Sequence, residues 1–245
     1  MILNLKSPSI PGWTFTDTYL DSSFQLLKLI NERPPEEVFD FGLFQKKYAD
    51  EYNIKSSRVR ELSSWFVVFG ILRSYGNKKE KFTYQEFGNR KNFKSFWDFL
   101  IIRDFVKKNE GLKKDKELEI KDLEVIFHEL VFEFISEAIS RRDKKGEIFL
   151  KPIQLLEKVQ YLTKEEFYIV MDGVVTEKSI NELITLIMEY REGKFSIKQE
   201  KKSNSYNYIR KFLLDALIIS QVKNSNKIFP NRAGRYEEIV VKNGK

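Results

Sequence analysis

Apolar residues recur at helical spacing through the first third of the chain, and the polar residues between them mark where each run stops. In DSSFQLLKLINERP (21–34), Phe24, Leu27 and Ile30 share one face and Pro34 ends the run, which predicts a helix. Pro35, Glu36 and Glu37 suit the first turn of a second, with Val38, Phe41, Phe44, Tyr48 and Tyr52 on its apolar face down to about Asn53. Ser56 or Ser57 then caps a third, whose Val59, Leu62, Phe66 and Phe69 face a core while Ser57, Arg60, Glu61 and Ser64 lie opposite. ILRSYG and KFTYQEF follow, rich in β-branched and aromatic residues and joined by Gly76-Asn77-Lys78-Lys79-Glu80, a hairpin pattern.

Three helices and a hairpin predict a winged helix, the helix-turn-helix variant whose third helix enters the major groove of DNA while the hairpin lies along the backbone. Residues 94–142 then read as a helical scaffold, containing FWDFLIIRDFVKK and the acidic, aromatic LEIKDLEVIFHELVFEFISEAISRR; Lys113–Lys116 and Lys144–Gly146 read as loops. PIQLLEKVQYL, TKEEFYIVMDG and SINELITLIMEYREG predict three more helices, and KFSIKQEKKSNSY a polar, lysine-rich loop. An internal echo begins there. With Arg60 set over Arg210, Val59, Leu62, Phe66 and Phe69 stand over Ile209, Phe212, Ala216 and Ile219, and Ser57 stands over Asn207. Each helix runs into an aliphatic strand, a Gly/Asn/Ser/Lys turn and a second strand bearing Phe82 or Phe229. The expected architecture is mainly α: tandem winged-helix domains, 1–93 and 151–245, joined by a helical connector, 94–150, after an irregular, proline-containing start.

Charge sharpens this picture. The 245 residues carry a net +7, but residues 56–116 hold 15 Lys+Arg against 7 Asp+Glu and residues 194–245 hold 12 against 4, while 117–193 are acidic, with 10 against 17. Each basic block coincides with one helix–hairpin pattern, as a nucleic-acid footprint would. The absence of cysteine excludes disulfides and thiolate metal sites and suits the reducing cytoplasm, the expected location. The longest apolar run, WFVVFGIL, falls far short of the ~18 residues of a membrane span, and the start lacks a cationic leader, so a soluble, unexported protein is expected.

Little in the chain supports catalysis. A nuclease centre of the PD-(D/E)xK kind pairs an acid-x-Lys with a second metal-binding acid. Glu119-Ile120-Lys121 has the short pattern without a Pro-Asp upstream and lies in the acidic helical stretch, where a solvated pair is the simpler reading. His128, the only histidine, excludes two-histidine chemistry and reads as a half-buried helical residue. There is no Walker or dinucleotide glycine pattern, so no catalytic residue, metal or cofactor is expected.

The nucleic-acid side is richer. Ser56, Ser57, Arg58 and Arg60 occupy the first turns of the third helix, with Ser64 on the same face. Side chains there reach base edges, and a bidentate Arg to guanine discriminates by ~1–3 kcal/mol; an ordinary capped helix with a solvated arginine is the other reading. Asn204, Asn207, Arg210 and Lys211 hold the matching positions in the second unit, where asparagine suits adenine. Lys78, Lys79 and Lys81 in the first wing, and Lys223 and Lys227 in the second, would meet phosphates and add affinity without sequence preference. Arg232 and Arg235, in NRAGRYEE, form either a flexible arm on a groove or a linker, with no terminal element expected after them.

SSRVRELSSWFVVFGILRSYGNKKEKFTYQEFGNR, KPIQLLEKVQYLTKEEFYIVMDG and NYIRKFLLDALIISQVKNSNKIFPN resemble the N-terminal recognition region of type IIS restriction endonucleases of the AlwI kind, and of the related nicking endonucleases, from about Phe39 on. The resemblance implies two winged-helix-like domains that read a short asymmetric site on double-stranded DNA, as a monomer and without a cofactor. It also implies a separate PD-(D/E)xK nuclease domain or subunit as the cutting partner, which has no counterpart in this sequence. Two other classes fit the same residues. One is a tandem winged-helix replication initiator or transcription regulator, dimeric on a palindromic site; the other is a protein–protein adaptor, whose DNA binding would be absent or insensitive to salt.

Overall fold

The computed structural model describes residues 1–10, 12, 14–32, 38–51, 55–72, 74–75, 81–83, 91–108, 116–199 and 204–243. In chain order its elements are β1 (Ile2–Leu5), α1 (Asp17–Asn31), β2 (Val38–Asp40), α2 (Phe41–Glu51), α3 (Ser56–Val68), β3 (Ser74–Tyr75), β4 (Lys81–Thr83), α4 (Lys91–Lys108), α5 (Lys116–Ser140), α6 (Lys144–Val159), α7 (Lys164–Val175), α8 (Ile180–Arg191), β5 (Ser196–Gln199), α9 (Ser205–Asp215), β6 (Ile219–Gln221), β7 (Ile228–Pro230) and α10 (Tyr236–Asn243). The protein is mainly helical, as the apolar periodicity predicts. It separates into two compact units, Trp13–Phe134 and Met1–Gly12 with Ile135–Lys245, and the division falls inside α5. Residues 94–150, expected as a connector, are thus shared between the two units.

In the unit Trp13–Phe134, α1, α2, α3 and α4 gather around aromatic side chains. Val59, Leu62 and Phe66 on α3 and Phe69 at its C-cap are fully buried, as their spacing predicts. Phe69 stacks on Phe134 with ring centroids 5.1 Å apart, and Phe96 meets Phe134 edge-on at 5.5 Å. Each such phenylalanine contributes roughly 1.5–3 kcal/mol by leaving water. Two turns beyond Phe96 on the same buried face of α4, Arg103 donates to Asp17 Oδ1 at 2.6 Å and Asp21 Oδ1 at 2.7 Å, tying α4 to α1. The sheet has the order β2-β4-β3, antiparallel throughout, with Phe39 opposite Phe82 and Ser74 opposite Phe82 on the other edge. The second helix was expected to include Val38; instead Val38–Asp40 is a strand and the helix opens at Phe41. Val38 and Phe41 are three apart, which imitates one face of a helix, but a Val-Phe pair also suits an extended edge, and pairing with β4 satisfies its backbone.

The other unit holds α6 to α10, with β1 and β5 paired in parallel from Ile2 opposite Ser196 to Leu5 opposite Gln199. Both strands fall where irregular chain was expected. Lys144–Gly146, expected as a loop, is the first turn of α6: Asp143 caps it by accepting from the amides of Lys145 (2.9 Å) and Gly146 (3.0 Å). Glycine is required at 146, because a Cβ there would lie 2.4 Å from the Ala138 carbonyl oxygen. After β7 the chain closes with α10, where no terminal element was expected; Tyr236 is fully buried and its hydroxyl donates to the Ile153 carbonyl of α6 at 2.8 Å.

The two units repeat one order of elements. In the first it is α1, β2, α2, α3, β3, β4, α4. In the second it is α6, Leu162, α7, α9, β6, β7, α10, with α8 and β5 inserted between α7 and α9. Leu162 exchanges both backbone hydrogen bonds with Ile228 of β7, at 3.0 and 2.8 Å, so the extended residue between the first two helices again borders the second hairpin strand. The ends of α3 and α9 also correspond. Each closes on a residue of positive φ, Gly70 at 68° and Leu217 at 56°, and the next amide returns to Phe66 or Leu213. This matching places Phe82 against Phe229 but Arg60 against Asn207, and Ser63 against Arg210. The echo is therefore one helical turn out of the register that sets Arg60 over Arg210.

Candidate nucleic-acid interface

On α3 the outward residues are Ser56, Ser57 and Arg60, with Glu61 and Ser64 half-buried beside them. The N-cap position is Lys55 rather than a serine: the Arg58 amide bonds to the Lys55 carbonyl at 2.8 Å, so the chain is already helical at Ser56. The two arginines point to different surroundings. Arg58 is half-buried with its guanidinium 5.1 Å from the centroid of Tyr19 on α1, whereas Arg60 is exposed and makes no ion pair with a described residue. Ser57, Arg60 and Ser64, spaced at three and four residues, therefore form a short polar stripe opposite the buried face. Lys81 lies on β4, its backbone opposite Asp40 and Tyr75. Lys78 and Lys79 lie outside the described residues.

At the start of α9 the outward residues are Asn204, at the N-cap, and Asn207, with Tyr208 half-buried after Asn207 and Lys211 half-buried one turn on. Asn204 is the N-cap residue and its side chain makes no capping bond. Lys211 is ion-paired with Asp215 of its own helix. Arg210 is half-buried: its guanidinium donates to Gln221 of β6 and lies 5.4 Å from the Tyr206 ring. Lys223 is exposed in the β6–β7 turn, next to Asn224 at φ 64°. Lys227, at the end of that turn, sits 4.3 Å from the ring centroid of Tyr161, whose ring also carries Arg191 at 4.0 Å.

Compared with protein-family models, curated proteins and solved structures, the chain has no match. The reading of this surface therefore rests on its residues.

Arg232 and Arg235 belong to the turn that leads into α10. Arg232 pairs with Glu237 and, at 3.6 Å, with Glu157; Arg235 pairs with Glu238 at 3.0 Å, and its amide bonds to the Leu217 carbonyl. Both are held on their own unit. His128 is half-buried on α5 with Nε2 3.6 Å from Glu124, and Glu119–Lys121 lies within the same helix. Among the described residues no group of His, Cys, Asp or Glu could hold a metal ion, and no helix is long and apolar enough to cross a membrane. Sequence reasoning passed over Tyr206, Gln221 and Tyr161, the three side chains that organise the second turn. Tyr206 and Arg210 stand four apart on α9, a spacing that marks them as neighbours. Gln221 and Tyr161 carry no comparable mark.

Proposed function

We propose that the chain is a sequence-specific double-stranded DNA-binding module made of two winged helices, with α3 and α9 as the helices that face the major groove. The observation that carries this reading is the repeated order of helix, extended residue, helix, helix and hairpin, with the extended residue bordering the second hairpin strand in both units. Each third helix also turns short hydrogen-bonding side chains outward, and each lies in one of the two basic blocks. Binding alone is the mechanism. Arg60 offers the fork that matches guanine O6 and N7, and exposed Lys223 supplies a phosphate contact. The resemblance to type IIS recognition regions extends the proposal to a context: target recognition in the cytoplasm for a nuclease domain or subunit that does the cutting.

The test is selection from randomised duplexes at moderate salt, followed by a salt titration on the enriched sequence. A short asymmetric site bound by a monomer, with affinity falling steeply as salt rises, is expected. Arg60→Ala should relax preference at one base pair by roughly 1–3 kcal/mol. A palindromic site bound by a dimer would move the protein to the class of initiators and regulators. No enrichment and no salt-dependent binding would refute the proposal and bring the adaptor reading forward.

A further inference from the structure

If α9 faces a duplex, as proposed above, its polar residues divide into two groups. Asn204 and Asn207 are exposed, and neither side-chain amide bonds to a described residue. Arg210 is engaged inside the unit. Its Nη1 donates to Gln221 Oε1, and Gln221 Nε2 donates in turn to the Ser225 carbonyl. Tyr206, one turn before Arg210 on α9, donates its hydroxyl to the Asn226 carbonyl at 3.2 Å. Two adjacent carbonyls of the β6–β7 turn are thus held, Asn226 directly by Tyr206 of α9 and Ser225 by Gln221 of β6, which Arg210 of α9 in turn holds, and Lys223 rides on the same turn. Lys227 rests on Tyr161 at the far end of the turn. In the other unit Ser63 stands in the place of Arg210, with its hydroxyl donating to the Val59 carbonyl at 2.8 Å, so this position faces inward in both.

We infer that Asn204 and Asn207 are the base-reading residues of α9, and that Arg210 is a positioning residue that sets the β6–β7 turn, and with it Lys223, against the phosphates. An asparagine amide matches the N6 and N7 edge of adenine with one donor and one acceptor, so adenine is the base this helix selects. A guanidinium already bonded to Gln221 and lying on Tyr206 would have to give up both contacts to reach guanine.

The experiment uses the full chain and the duplex enriched in the selection. Asn207→Ala should lose discrimination at one adenine-containing pair by roughly 5- to 150-fold. Arg210→Ala should keep the enriched sequence while weakening all duplexes alike and lowering the salt slope by about one. Lys223→Ala should do the same, and the double variant should be no weaker than the more affected single one, a coupling that simple loss of stability does not produce. Arg210→Lys, which keeps a donor toward Gln221, should recover part of the loss. Amide hydrogen exchange without DNA adds a second reading. The Ser225 and Lys227 amides, bonded to the Val222 carbonyl and the Ser225 hydroxyl, should exchange faster in Arg210→Ala while those of α9 are unchanged. A shift of the enriched bases in Arg210→Ala, with none in Asn207→Ala, would overturn the inference. If the wild-type chain enriches no duplex, the DNA-binding proposal and the reading role of the asparagines fall with it. The exchange result then decides the role of Arg210 alone, and unchanged exchange would overturn that too.

Discussion

Replacing Arg103 by methionine should cost the protein less than neutralising the two acids that bind it. The Arg103 side chain is 8% exposed, whereas those of Asp17 and Asp21 are 78% and 56% exposed. In Arg103→Met the two carboxylates are left where water reaches them, and an apolar chain of similar length fills the space. Such exchanges of an ion pair for a hydrophobic group run close to neutral, so about 0–1 kcal/mol is expected. In Asp17→Asn with Asp21→Asn the guanidinium stays enclosed without a counter-charge. An orphaned buried charge costs ~3–5 kcal/mol, and because asparagine still accepts a hydrogen bond the expected loss is about 2–3 kcal/mol. Asp17 also stands in the first turn of α1, where its charge adds ~0.3–1 kcal/mol through the helix dipole. The assay is tryptophan fluorescence in urea, since Trp13, Trp65 and Trp97 all belong to the unit Trp13–Phe134 and report its unfolding apart from the other unit. If Arg103→Met proved the less stable of the two, the argument from unequal burial would fail.

The same cluster sets a pH dependence. Burial pushes the Asp21 carboxyl up, but the hydrogen bond and charge of Arg103, joined by those of Lys107, hold it below its ordinary 3.8. A carboxyl lowered on folding contributes stability that is present above its unfolded pKa and is lost as pH falls through the lower folded value. The fluorescence midpoint should therefore decline below about pH 4 less steeply in Asp21→Asn than in the wild type, and parallel curves would remove Asp21 from the explanation. Tyr236→Phe should cost ~1 kcal/mol for the lost bond to Ile153, and Tyr236→Ala ~3–5 kcal/mol for the cavity, both read by circular dichroism in urea. Gly146→Ala should cost about 1–3 kcal/mol because its Cβ meets a backbone oxygen rather than a yielding side chain; a midpoint equal to the wild type would refute the close approach of α6 to Ala138.

What could be read from the sequence follows from the length of each signal. Val59, Leu62, Phe66 and Phe69 span three turns, and a face that long has one reading, so the buried side of α3 and its outward Ser57 and Arg60 were both legible. Val38–Asp40 offers three residues, too few for alternation to separate from a helix, and β1 finds its partner almost 200 positions away in a stretch that reads as lysine-rich loop. Helical periodicity nearly repeats after a shift of one turn, so the buried pattern could not distinguish Arg210 from Asn207 as the counterpart of Arg60. The information lay outside the helix, in Phe82 and Phe229: setting these two in register puts Asn207 under Arg60 at once.

That slip of one turn changes what the second basic block means. Lys194, Arg210, Lys211, Lys227, Arg232 and Arg235 contribute half of its 12 cations, and each is already held by Glu189 and Glu192, Gln221, Asp215, Tyr161, Glu157 and Glu237, or Glu238. Lys194, Lys211, Arg232 and Arg235 have carboxylate partners, and a cation neutralised within the fold releases fewer counterions on binding, so the count of Lys and Arg overstates the charge this unit presents; Arg210 and Lys227, against uncharged partners, keep theirs and are restricted only in position. Net charge marks this region only as basic. The side-chain partners then decide which residues in it remain available, and on α9 those are the uncharged asparagines.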